Sequence, residues 1–295
     1  MNIKLYKPST LNEAVELMGY NDGRIIAGGT DLIIELRNRN EKPSYLVDIS
    51  SLSELKELRI EKEMISIGSA VTFTDIIENK YIKEKLPCFT DMAMMIGAVQ
   101  IQNRATIGGN ICNAAPAADS IPLLMSLGAK CIIISQRGIR EVLLANFIND
   151  KGKVRLNSDE ILKLIEFGSL GENEGCGFSK LGKRNAMSIS TISCAVKIRL
   201  DEDIIDNICI YTGSLGIKAT KEEKVESFLK GVIYNKQNID KAADLLSQEV
   251  SERLGTRASM PYKRVAVKTV FKEACYSAAE KYGNDQLYMS GGSDI

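Results

Sequence analysis

Two Gly-Gly pairs, Gly28-Gly29 and Gly108-Gly109, constrain this chain more than any other feature of its sequence. The first follows a short apolar run, Arg24 to Ala27, that reads as a buried strand, and precedes Leu32 to Arg37, which reads as a helix. Paired glycines between a strand and a helix point backbone N–H groups outward with no Cβ in the way, and the helix dipole there favours an anion. Thr30 adds a hydroxyl donor, while Asp31 reads as a cap of the helix rather than as a contact to an anion it would repel. Taken alone, this element is equally an ordinary strand-to-helix turn. It is neither a G-x-G-x-x-G fingerprint nor a Walker loop, so a Rossmann domain is not expected. The second pair lies in Thr106-Ile107-Gly108-Gly109-Asn110, within a stretch from Gly97 to Ser120 that is rich in Gly, Asn, Ala and Pro and reads as irregular. Long loops without structure of their own are usually functional. Thr106 and Asn110 flank the glycines as side-chain donors. Asp119, ahead of an apolar helix at Ile121 to Leu127, either accepts hydrogen bonds from a sugar diol or caps that helix. Two such loops suit a ligand with two phosphates, spanned by two subdomains.

Histidine is absent from all 295 residues. That removes Ser-His-Asp and Cys-His nucleophilic catalysis and most catalytic zinc sites. Chemistry must come from carboxylates, lysines or a bound cofactor. The 7 cysteines are dispersed, with no C-x-x-C pair, which predicts a reduced, cytoplasmic protein that ligates neither zinc nor an iron–sulfur cluster. Lys plus Arg equals Asp plus Glu at 38 each, which argues against a nucleic-acid or anionic-membrane surface. Met1 to Pro8 carries no signal-peptide pattern, and the apolar stretch Ile121 to Ile134 is interrupted by Lys130 and too short to span a bilayer.

The length predicts two or three domains. Thr10 and Glu13 have capping-box spacing ahead of a helix to Met18. Tyr45 to Ile49, Met64 to Ile67, Lys130 to Ser135 and Asp159 to Phe167 read as strands. Ser53 to Leu58, a segment capped by Thr72 or Thr74 and running to about Asn79, and Phe89 to Ile96 read as helices. Leu170 to Gly177, rich in Gly and Glu, looks like a boundary. Beyond it, strands at Ser188 to Leu200 and Ile204 to Tyr211 precede helices near Val225, at Ile239 to Glu249 and at Tyr262 to Glu280, an α+β order.

These residues resemble the FAD-binding subunit of molybdenum-containing hydroxylases, closest to the bacterial xanthine dehydrogenase type. The resemblance is carried by Ile26 to Ile33, by Ile67-Gly68-Ser69-Ala70-Val71-Thr72, by Gln100 to Asn113 and by Asp119 to Ala129. A weaker match runs from Phe178-Ser179-Lys180 with Arg184 into Ile189 to Val196. It implies an α+β chain: a PCMH-type FAD-binding domain of two α/β subdomains (1–58 and 59–172), then a CO dehydrogenase flavoprotein-like C-terminal domain (173–295). By the same resemblance Ile26, Ala27, Gly28, Gly29, Thr30, Asp31, Leu32 and Ile33, with Thr106, Gly108, Gly109 and Asn110, clasp the FAD pyrophosphate. Asp119 binds a sugar hydroxyl, Ile96 and Leu162 line the flavin pocket, and Lys180 contacts the flavin from the third domain. It further implies a molybdopterin-binding large subunit that hydroxylates the substrate, a small subunit with 2Fe-2S clusters that feeds electrons to FAD, and NAD as the acceptor. Without histidine the commonest covalent flavin link is ruled out, so noncovalent FAD is expected. Two departures stand out: Gln102 occupies a position where the family commonly has arginine, with a charge displaced to Arg104, and Gly213 to Lys218 replaces a proline-containing segment. Substrates of the same family (nicotinate, another purine, carbon monoxide, an aldehyde), a stand-alone flavoprotein oxidase or reductase, and a scaffold without cofactor are the alternatives.

Overall fold

The computed structural model describes residues 3–20, 22–38, 43–184 and 187–280, so the outermost ends of the first and third expected domains lie outside the described residues. The first part of the chain alternates strand and helix: β1 (Lys4–Tyr6), α1 (Leu11–Met18), β2 (Gly23–Ile26), α2 (Leu32–Asn38) and β3 (Tyr45–Asp48). The three strands pair in parallel, in the order β1-β3-β2. Thr10 caps α1 as its spacing predicts, its Oγ1 accepting from the Glu13 N–H at 3.2 Å. Helix α1 buries Leu11, Ala14, Val15 and Met18 against Val47, Ile49, Leu52 and Leu55. Ser53–Leu55 is a single 3-10 turn, shorter than the expected helix, because a strand begins at Leu58.

The middle part is built on an antiparallel sheet in the order β4-β5-β10-β6-β7. Its strands are β4 (Leu58–Glu61), β5 (Met64–Gly68), β6 (Lys130–Ser135), β7 (Gly138–Leu143) and β10 (Ile161–Gly168). Helices α3 (Phe73–Glu78), α4 (Lys80–Lys85), α5 (Pro87–Met94), α6 (Val99–Gln102), α7 (Ile107–Asn113) and α8 (Ser120–Ser126) run between β5 and β6. The short elements α9 (Leu144–Phe147), β8 (Ile148–Asp150) and β9 (Lys153–Val154) precede β10. Thr72, not Thr74, caps α3 in a reciprocal box with Asp75. The stretch 97–120, expected to be irregular, contains the short helices α6 and α7. Low-propensity Gly and Asn hid α7, but its first turn is secured by Thr106, whose Oγ1 accepts from the Gly109 N–H at 3.0 Å.

The last part is an antiparallel sheet, β11 (Glu174–Gly182), β12 (Ser190–Asp201), β13 (Ile204–Gly213) and the short β14 (Thr220–Lys221), followed by α10 (Glu223–Leu229), α11 (Lys236–Leu254) and α12 (Met260–Ala279). Strand β11 begins inside the glycine-rich segment expected to be a boundary. Its glycine content has a packing cause: a Cβ on Gly177 would run into the Ala274 carbonyl of α12. The α+β order is otherwise as expected.

Candidate cofactor site

Strand β2 ends at Ile26, and the chain turns through Ala27, Gly28 and Gly29 before α2. The two glycines are needed for different reasons. Gly29 adopts φ +72°, a left-handed conformation that glycine enters without steric cost. A Cβ on Gly28 would collide with the Arg104 carbonyl and the Ala105 Cα, so the first glycine loop lies directly on the backbone leading into the second. At Gly108 a Cβ would sit 2.5 Å from Ser69 Cβ, and the Gly108 N–H donates to Ser69 O at 3.0 Å, tying α7 to the end of β5. Gly109 differs from the other three. A Cβ there would meet only Thr106 Oγ1, at 3.0 Å, among the described residues.

Between the two loops opens a cavity of about 330 Å³, at the low end of the range for small-molecule sites. Residues 23–32 form one wall. Thr106, Gly108, Gly109, Cys112 and Asn113 form another, and Leu156 to Leu162 contribute a third through Asn157, Ser158, Glu160, Ile161 and Leu162. Asn113 Nδ2 donates to Asp31 Oδ2 at 3.1 Å, bridging the loops; the Asp31 carboxylate is thus engaged by the second loop, where its position in the sequence suggested a helix cap. The other carboxylates on the wall carry compensating partners. Glu35 pairs with Arg24 at 2.7 Å. Glu160 is bound by Arg140 at 2.6 and 2.8 Å and accepts from the Asn157 N–H at 2.9 Å. The Arg140 guanidinium pulls the Glu160 carboxyl down to about 2 against the cost of its burial.

A second cluster gathers around Asp119, outside the cavity lining. Asp119 precedes α8, yet its side chain does not cap that helix. Instead Asp119 Oδ2 accepts from Lys180 Nζ at 2.8 Å and Oδ1 accepts from Ser190 Oγ at 2.6 Å. Burial pushes the Asp119 carboxyl above the usual carboxylate range, and the Lys180 ammonium and Ser190 hydroxyl pull it back. Lys180, reaching over from β11, also donates to Met95 O at 2.8 Å and to Ser188 O at 3.2 Å. Both side chains of the pair are buried, at 9% and 5% exposure. Asn110 Oδ1 accepts from Ser120 Oγ at 2.6 Å, fastening α7 to α8 beside Asp119. Ile96 packs at the edge of the central core nearby.

Residues 1–168 match the family described as the FAD binding domain in molybdopterin dehydrogenase, and 178–278 match the CO dehydrogenase flavoprotein C-terminal domain. The chain belongs to the family of FAD subunits of molybdenum hydroxylases. The xanthine dehydrogenase FAD-binding subunit of Escherichia coli O157:H7 is 34% identical over 94% of this chain and 96% of its own length. The nicotinate dehydrogenase FAD-subunit of Eubacterium barkeri is 31% identical, over 92% and 94% respectively. Carbon monoxide dehydrogenase from Hydrogenophaga pseudoflava superposes with a TM-score of 0.88 at 26% identity, covering 95% of this chain and 98% of that one. This FAD subunit is therefore an oxidoreductase component with an FAD-binding domain, and among its described residues no helix is long and apolar enough to cross a membrane.

In the FAD subunit the expected site residues fall into two groups. The cavity collects Ile26, Ala27, Gly28, Gly29, Thr30, Asp31, Leu32, Thr106, Gly108, Gly109 and Leu162. Ile33, Ile96, Asn110, Asp119 and Lys180 stand outside its lining, the last two joined to each other. The geometry fits the cofactor in one respect above all: Gly109, at the first turn of α7, lines the cavity with no side chain, and a Cβ there would meet only Thr106 Oγ1 among the described residues. Asn113, Glu160 and Ser190 were not singled out from the sequence as site residues, and Gln102 was noted only as a departure from the family pattern. The signal for Asn113 was the helix itself: once Thr106 is seen to cap α7, Gly109 and Asn113 share a face one turn apart.

Proposed function

We propose that this FAD subunit holds the FAD pyrophosphate between residues 26–33 and 106–110, with a sugar hydroxyl at Asp119 and the flavin ring among Ile96, Leu162 and Lys180. The three-part division at 58/59 and 172/173 is proposed with it. The observation that supports the assignment is that both glycine pairs, Gly28-Gly29 and Gly108-Gly109, line one cavity, with little but Thr106 Oγ1 around the Cβ position of Gly109. Bound flavin supplies the redox chemistry that the side chains of a histidine-free chain do not. The protein's own part is to present backbone N–H groups and the Thr30 hydroxyl to the diphosphate, and to hold the Lys180 ammonium in a dry setting. In that setting a charge acts more strongly than it would in water.

The proposed assembly contains a molybdopterin-binding large subunit and a small subunit with 2Fe-2S clusters, and passes electrons through noncovalent FAD to NAD. Xanthine or a related purine is the substrate class, on the strength of the 34% identity to a xanthine dehydrogenase subunit; nicotinate is the competing class. The test begins with the visible spectrum of the purified chain before and after mild acid precipitation. A flavin spectrum that moves to the supernatant supports noncovalent FAD. A colourless chain that takes up no added FAD overturns the site. NADH-dependent dye reduction by the FAD-loaded chain, with no turnover of xanthine until partner subunits are added, is the expected activity. Turnover with substrate and oxygen by the isolated chain would favour an oxidase instead.

A further inference from the structure

Gln102 lies at the end of α6, is 8% exposed, and lines no part of the cavity. Its side-chain amide nitrogen donates to Met94 O at 2.9 Å and to Ile96 O at 3.1 Å. The carbonyl between those two, Met95 O, is the one that receives Lys180 Nζ. The amide thus pins both sides of the peptide that the lysine grips. An ammonium has three N–H groups, and those of Lys180 go to Met95 O, Asp119 Oδ2 and Ser188 O. Of these acceptors, Met95 O depends on the turn between α5 and α6, and that turn is fastened by Gln102.

We propose that Gln102 is a positioning residue for Lys180: by fixing the Met94–Ile96 turn it sets where the ammonium sits, and so the electrostatic environment of the flavin. This inference rests on the placement of the flavin ring beside Lys180 proposed above. Glutamine suits the task chemically because its amide donates twice and adds no charge. Glutamate has the same shape, but its carboxylate only accepts and would face two carbonyl oxygens. Leucine fills the space with no donor.

The experiment compares Gln102→Leu, Lys180→Met and the double variant in two states. In the cofactor-free protein, urea unfolding gives a double-mutant cycle between residues that do not touch. Coupling is expected, because Lys180 loses part of its seat when the turn loosens. In the FAD-loaded protein, Gln102→Leu is expected to weaken FAD binding by less than Lys180→Met does, because its own two hydrogen bonds are lost in the free and the loaded protein alike and only the displaced ammonium is felt at the flavin. It should also lower the flavin midpoint potential in the same direction as Lys180→Met, since a nearby cation favours the electron-rich form. In the Lys180→Met background, Gln102→Leu should leave the potential unchanged. Additive stabilities, or a potential that moves equally in both backgrounds, would overturn the proposal. If Gln102→Leu does not fold, Gln102→Asn keeps the amide one methylene short of both carbonyls and is read by the same criteria. A wild-type chain that binds no FAD would defeat the function proposed above, while the cofactor-free cycle would still decide the link between Gln102 and Lys180.

Discussion

Substituting Gly28 and Gly109 separates two roles that look alike in sequence. Alanine at 28 must displace the Arg104 carbonyl, an overpacking cost of about 1–3 kcal/mol, so Gly28→Ala is expected to lower the urea midpoint even without cofactor. At 109, which lines the cavity, an added Cβ meets only Thr106 Oγ1 among the described residues, a side-chain atom rather than backbone. Gly109→Val should therefore keep nearly the wild-type midpoint yet lose FAD, as read by equilibrium dialysis. Full FAD occupancy in that variant would refute the loop assignment. Asp119 makes a different kind of prediction. Asp119→Ala strands a buried ammonium and should cost about 3–5 kcal/mol, whereas Asp119→Asn with Lys180→Met should cost much less. Glu160 ties stability to acid. Its folded pKa of about 2 lies below the ordinary 4.5, so its contribution is present above about pH 4.5 and is lost as pH falls toward 2. Glu160→Gln should flatten that part of a stability–pH curve measured by urea unfolding.

Among the elements, those legible in sequence were the ones whose local chemistry and burial agree. Thr10 with Glu13 announced α1, and the apolar run 130–135 announced β6, which is buried at alternate positions. The elements that escaped notice owe their form to tertiary contacts. Strand β7 is nearly all exposed and carries no apolar alternation; it exists because every residue from Gly138 to Leu143 pairs with β6. Strand β11 hid behind glycines that admit α12, and α7 behind glycines that admit Ser69 and leave the cavity open. At the site, the glycine pairs and the acid at 119 were visible as residue types. The partners of Asp119, supplied from β11 and β12, were not visible, because no local spacing encodes a contact across domains. One element-level test follows for α7. Thr106→Ala removes its cap and should cost about 1 kcal/mol, with a larger loss of FAD affinity than of stability, because the first turn of α7 carries Gly109.

Taken whole, the molecule is organised around the last sheet, which is buried on both faces. Cys176, Phe178, Ala195 and Tyr211 face the central core with Phe89 and Leu124, while Cys194, Val196 and Ile210 on the alternate positions face α11 and α12. The middle and last parts of the chain therefore share one core, and calorimetry is expected to show them melting in a single transition with equal calorimetric and van't Hoff enthalpies. The contact of Gly28 with the Arg104 backbone carries a consequence for association. Because the loops already rest on each other and are laced by Asn113 and Asp31, the gap between them is set during folding rather than on arrival of a ligand. Little conformational freedom is then left to surrender if FAD enters there as proposed, and its affinity is then expected to be governed by how slowly it escapes rather than by a slow ordering step at entry.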